Sequence, residues 1–110
     1  MSDLRVVEIP ADESLLKEVG RDLGFKTLTN TRIRGYATRN MTGSVVIQGP
    51  GGDIGIVKME DGNKRLVFDN MSTIAKEVIP KYVDKYIKRH LKTEAKRMET
   101  KNEIVYVINV

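Results

Sequence analysis

The chain has 110 residues, a length that one hydrophobic core serves. With 40% hydrophobic and 31% charged residues, it is neither starved of apolar groups, as a disordered chain is, nor rich enough to live in lipid. Cysteine is absent and His90 is the single histidine, which removes disulfides, thiolate zinc and iron-sulfur sites, thiol nucleophiles and all-histidine metal clusters. No apolar run approaches the ~20 residues of a membrane span. Met1 to Pro10 lacks the basic start and apolar centre of a signal peptide, so the expected location is the cytoplasm, with no membrane partner.

No linker, repeat or low-complexity tract divides the sequence, and residues 1–110 are expected to form a single domain. Leu4 to Ile9 is short and β-branched and ends at Pro10, which predicts a first strand. Asp12 or Ser14 then offers a helix cap. Leu15, Leu16, Val19 and Leu23 recur at helical spacing, and Gly24 stands where a left-handed residue would end the helix. Phe25 to Tyr36 favours extended backbone, with Asn30 as an interruption, and Val45 to Ile47 forms a third strand. Alternation from Ile54 to Met59 gives a fourth, and Asp61-Gly62 predicts a type I′ hairpin that returns through Lys64 to Phe68.

Ser72 is the expected cap of a helical region reaching Met98, with a break or kink at Pro80, whose ring removes a donor and clashes with the preceding turn. On a helical wheel, Ile74, Ala75, Val78 and Ile79 centre roughly 150° from Val83, Ile87, Leu91 and Met98, which also argues for a break or kink there. Ile104 to Ile108 reads as a final strand whose unbroken apolarity suits burial on both faces or pairing across a subunit boundary. The expected fold is therefore α+β, in the order strand, helix, strand, meander, broken helix, strand. Its sheet is largely antiparallel with the helices on one face, as in a ferredoxin-like plait with extra strands. Leu15, Leu16, Val19 and Leu23, with Val83, Ile87 and Leu91, should supply the helical side of the core.

Candidate chemistry is sparse. Gly49, Gly51, Gly52 and Gly55 match neither a Walker loop nor a dinucleotide fingerprint. Although Gly52 to Gly55 has KH-like GXXG spacing, it opens a strand instead of joining helices, so a structural loop is expected. Ser14, Ser44 and Ser72 lack a nucleophile-elbow context. Tyr86, His90 and Glu94 fall four residues apart on the expected helix, a spacing that allows an acid/base pair or two metal ligands but equally the polar edge of a packing face. No third ligand or cofactor motif accompanies them, so no cofactor and no metal are assigned.

Charge is more informative. Between Pro80 and Met98, seven basic residues stand against Asp84 and Glu94, a balance of +5 within a chain of net +4. Lys81, Lys85, Lys88, Lys92 and Lys96, with Arg89 beside them, form a stripe along the expected helix. Such a stripe can track phosphates without reading sequence, or can simply keep the surface solvated.

The ordered segments Leu15-Leu16, Arg21-Asp22-Leu23-Gly24-Phe25, Arg34-Gly35-Tyr36, Asp53-Ile54-Gly55 and Asp61-Gly62 resemble the small proteins related to the hypothetical chloroplast reading frame thirty-five, from algal plastids, cyanobacteria and other prokaryotes. The likeness covers most of the chain and continues through Tyr86 and Ala95. It departs where those proteins place an aromatic and a histidine after the helical tyrosine; here Lys88 and Arg89 stand, with His90 displaced. The resemblance implies a small accessory or regulatory protein and no reaction. The expectation is a non-enzymatic module with a protein partner or self-association, the alternative being sequence-independent nucleic-acid binding through the basic helix. An enzyme or metal site using His90 and Glu94 is the third option.

Overall fold

The computed structural model describes residues 3–91 and, as backbone only, the segments Glu94–Glu99 and Ile104–Asn109. Five strands, β1 (Leu4–Val6), β2 (Lys26–Arg32), β3 (Thr42–Gln48), β4 (Ile54–Lys58) and β5 (Lys64–Asp69), form one sheet in the order β1-β5-β4-β3-β2 with every pairing antiparallel. Helix α1 (Glu13–Leu23) carries the chain from β1 at one edge to β2 at the other, and α2 (Ala75–Tyr86) follows β5. Both helices pack on the same face. Leu15, Leu16 and Val19 of α1 and Val78, Ile79, Tyr82 and Val83 of α2 share one cluster with Val45, Ile47, Ile54, Ile56 and Leu66 of the sheet. The α+β class and one-sided helices expected from the sequence are what the chain forms.

Period-2 alternation sends the other side chains to the opposite face, where Ile33, Val46 and Val67 make a smaller buried cluster. Ile33 lies over Gly55, so closely that a Cβ there would collide with its side chain. A glycine in this central strand is thus explained by the residue above it, consistent with a structural role for the glycine segment.

The caps of α1 are those the sequence announces. Asp12 accepts from the Leu15 N–H at 3.0 Å, and Gly24 takes the left-handed conformation with φ 77°. Other local expectations need correction. Ser72 does not cap α2; its hydroxyl donates to the Gly52 carbonyl, and the N-cap Ile74 makes no side-chain bond. The β4–β5 turn is not type I′, since Gly62 has positive φ but Asp61 does not. Gly62 N–H instead donates to Met59 O and Met59 N–H to Asn63 O, the pattern of a longer loop with its glycine at the bulge position.

The helix also runs through Pro80 without a break. The carbonyl this proline leaves unbonded belongs to the exposed Lys76, where water can substitute. One helix face serves because Val83 and Ile87 adjoin Ile79, while Leu91, which is exposed, and Met98, which lies beyond the helix, are not part of the buried face. Val78 and Tyr82 form one row and Ile79, Val83 and Ile87 the next, all nearly inaccessible.

Irregularity comes later, as a π-helical turn at Ile87–Leu91. Its wider winding rotates the stripe off the core, leaving Leu91 exposed, against expectation. The helix does not extend to Met98. Glu94–Glu99 is instead a strand, β6, paired antiparallel with β7 (Ile104–Asn109). A lone apolar strand would leave its backbone donors and acceptors unmet, and the preceding segment supplies them. Whether β7 is buried on both faces lies outside the described residues.

Candidate functional site

The basic residues of the expected stripe do not point into open solvent as one row. Lys81 Nζ is 4.0 Å from Asp22 Oδ2; Lys85 Nζ is 2.9 Å from Asp22 Oδ2 and 3.0 Å from Glu18 Oε1; Arg89 Nη2 is 2.7 Å from Glu18 Oε2. His90 Nε2 completes the series 2.8 Å from Asp12 Oδ2. Partners that rise in number along α2 and fall along α1 mark two antiparallel helices joined by a ladder of opposite charges. Lys88 pairs one turn back with Asp84 at 3.0 Å. A phosphate on this face would have to displace carboxylates already in place, so the stripe is chiefly a helix seam. Lys92 and the side chains of Glu94 and Lys96 lie outside the described residues. The backbone of Glu94 and Lys96 is in β6, which removes both from the helical spacing that grouped Glu94 with His90 and Lys96 with the other lysines.

The carboxylate that meets His90 is therefore Asp12, far away in sequence, and its oxygens are divided between two tasks. Oδ1 caps α1 and Oδ2 faces the imidazole. The Tyr86 ring lies 4.3 Å from the His90 ring, centre to centre. The buried Tyr82 hydroxyl accepts from Asp12 N–H at 2.7 Å and donates to Pro10 O at 3.0 Å. Every polar atom named here serves to fix the start of α1 against the end of α2. Among the described residues, no group of three His, Asp or Glu side chains is placed to hold a metal.

The ladder sets a response to acid. Hydrogen bonds from Lys85 to Glu18 and Asp22, supported by Arg89 and Lys81, hold both carboxyls below their ordinary values of 4.5 and 3.8. Burial pushes Asp12 upward, but the Leu15 N–H and the adjacent His90 and Arg89 outweigh it and leave that carboxyl lowered too. Carboxyls lowered in the folded state contribute stability that is complete above their unfolded values and is lost as pH falls through the folded ones. Stability should thus decline below about pH 4, and a Glu18→Gln, Asp22→Asn variant should show a shallower decline in urea midpoints measured across that range. Identical slopes in both proteins would rule out the ladder as the source.

A second polar construction lies where three loops meet at one end of the sheet. Asp53, wholly buried before β4, accepts from Arg34 N–H at 2.9 Å, from Gly49 N–H at 3.2 Å, and from the Arg34 guanidinium through Nε and Nη2, the latter at 2.8 Å. This charged pair holds the Arg34 guanidinium above its already high ordinary value. Asp69, at the end of β5 and also buried, accepts from Ala37 N–H at 2.8 Å through one oxygen and from Met71 N–H at 2.9 Å through the other. Gly35, with φ 147°, lies between these anchors; a Cβ there would come within 2.7 Å of Thr38 Oγ1. The buried Thr38 hydroxyl closes the loop onto Ile33 O.

Three exposed large hydrophobic residues are tied to this base through the backbone. Leu4 pairs with Asp69 in the β1–β5 ladder, Tyr36 precedes Ala37, and Met71 is held by Asp69 directly. They are 37%, 68% and 57% exposed, and only Leu91 joins them among the exposed large hydrophobics of the described residues. Arg39 lies over the Tyr36 ring at 4.6 Å and donates to Tyr36 O. The segments Arg34-Gly35-Tyr36 and Asp53-Ile54-Gly55, noted separately in the sequence, are thus parts of one site. The contributions of Leu4, Asp69 and Met71 carry no sequence signal, because each is an ordinary residue at the end of a strand or in a turn. Comparison with protein-family models, with curated proteins and with solved structures finds no match to this chain.

Proposed function

We propose that this chain is a non-enzymatic protein-interaction module of the cytoplasm, an accessory protein of the kind its resemblance to the reading-frame-thirty-five relatives implies. Its contact surface is the platform of Leu4, Tyr36 and Met71. The observation that carries this is that three of the four exposed large hydrophobics among the described residues are tied, through their own or a neighbouring backbone, to one buried aspartate. Exposed apolar residues scattered singly need no explanation, whereas Tyr, Met and Leu anchored to one buried residue, with an arginine on the tyrosine ring, have the composition of an interface core. Fixed loops also lower the entropy lost on binding. The ladder-paired lysines give no comparable support to the nucleic-acid alternative.

The test is a photo-cross-linking residue at Met71, with Lys17 on the exposed side of α1 as control. An adduct with another protein is expected from Met71 alone and should be abolished by Tyr36→Glu, while stability changes by less than about 0.5 kcal/mol because the side chain is exposed. Equal yields at the two positions, or none at Met71, would sink the proposal.

A further inference from the structure

Building on the interaction reading, we infer that the partner presents a carboxylate beside a large apolar side chain: an acidic, hydrophobic segment of another protein. The argument is one of charge complementarity. Asp53 and Asp69 lie in the base of the platform, buried and hydrogen-bonded to the chain itself. The Arg34 side chain, by contrast, is 54% exposed, and Nη1 of its guanidinium has no partner among the described residues. Arg39 is exposed too, and its guanidinium is held at the platform by the Tyr36 ring and carbonyl. Of the charged groups at this site among the described residues, the arginines Arg34 and Arg39 face outward, Asp53 and Asp69 face inward, and Asp3, beside Leu4, is the one exposed carboxylate, so the outward balance is positive. Arg39 is pre-positioned by contacts that leave a carboxylate room to bind, and Tyr36 and Met71 lie alongside for the apolar neighbour.

Other occupants fit less well. A two-fold contact between copies of this chain would set one positively balanced patch against another. Single-stranded nucleic acid is gripped by successive aromatic platforms, and here one tyrosine stands with Arg39 already covering a face.

The probes are two pools of short fluorescent peptides with the same apolar residues, one carrying Asp or Glu beside them and the other Lys. The full chain should retain the acidic pool only. Affinity should fall about tenfold or more in Arg39→Glu and in Met71→Ala, with circular dichroism unchanged in both. Arg39→Glu should in turn gain retention of the lysine pool, a reversal that a merely weakened fold does not produce; Arg39→Gln should lose the acidic pool without that gain.

Equal binding of both pools, or an acidic-pool affinity indifferent to Arg39→Glu, overturns the inference. So does Tyr36-dependent binding of an oligothymidine or of phosphatidylserine vesicles when neither pool is retained. If the Met71 cross-link persists while the acidic pool fails, the partner chemistry falls and the interaction reading stands. If the cross-link also fails, both fall.

Discussion

Asp53→Ala should lower the free energy of unfolding by about 2–4 kcal/mol, a large effect for a residue in a loop. The carboxylate is fully buried, and its loss strands the N–H groups of Arg34 and Gly49, each a donor whose desolvation goes uncompensated at about 1–3 kcal/mol. The Arg34 guanidinium adds less than a buried ion pair would, because its side chain is half exposed and can return to water. Arg34→Ala should therefore be milder than Asp53→Ala, since the two backbone donors still satisfy the carboxylate. Arg34→Lys should recover little of the loss, a lysine ammonium being unable to reproduce the fork that meets both carboxylate oxygens. Urea denaturation at neutral pH measures all three, the shift being read at an unchanged slope. An Asp53→Ala protein within about 0.5 kcal/mol of the parent would show that water replaces the carboxylate, and the platform would lose its claim to rigidity. If the loss is as expected, Asp53→Ala should also abolish cross-linking at Met71 although Asp53 itself is buried.

The elements whose residues signal locally were the ones legible in the sequence. Asp12 and Gly24 bound α1 because capping depends on residues within one turn of the helix end. The wheel that divided the last helix into two stripes went astray by counting Leu91 and Met98 in the second; without them Val83 and Ile87 continue the face of Val78, Ile79 and Tyr82. The strand β6 was hidden by a composition rich in Glu, Ala, Lys, Arg and Met, all good helix formers, because the requirement that overrides propensity lies in the partner strand. The lysine stripe was a true pattern with an unseen neighbour. Asp12, Glu18 and Asp22 line the facing side of α1, and only the tertiary packing of the helices brings them opposite Arg89, Lys85 and Lys81. The candidate site was legible in halves. Arg34-Gly35-Tyr36 and Asp53-Ile54-Gly55 stood out as motifs, but nothing in their spacing says that one arginine grips one aspartate, or that Leu4 and Met71 arrive beside them.

Tyr82 is the position where packing and polarity can be separated by two substitutions. Its side chain is fully buried between the helices, and its hydroxyl bridges the carbonyl of Pro10 and the N–H of Asp12, the residues that lead into α1. Tyr82→Phe keeps the ring and leaves those two backbone groups unmet at a partly buried place, for an expected loss of about 1–2 kcal/mol. Tyr82→Ala removes the ring as well, and the cavity should bring the loss to at least about 3–5 kcal/mol.

Alkaline pH supplies an independent check. Burial pushes the Tyr82 phenol up to about 12 from its ordinary 10.0, against a lowering by the Asp12 N–H, so the folded state keeps a proton that the unfolded chain releases. The stability this group contributes is complete below its unfolded value and is lost as pH rises toward the folded one. Between pH 10 and about 12 the parent should lose stability faster than Tyr82→Phe. Parallel loss in the two proteins would mean that the hydroxyl is open to water, and the bond that ties the start of α1 to α2 would have to be withdrawn.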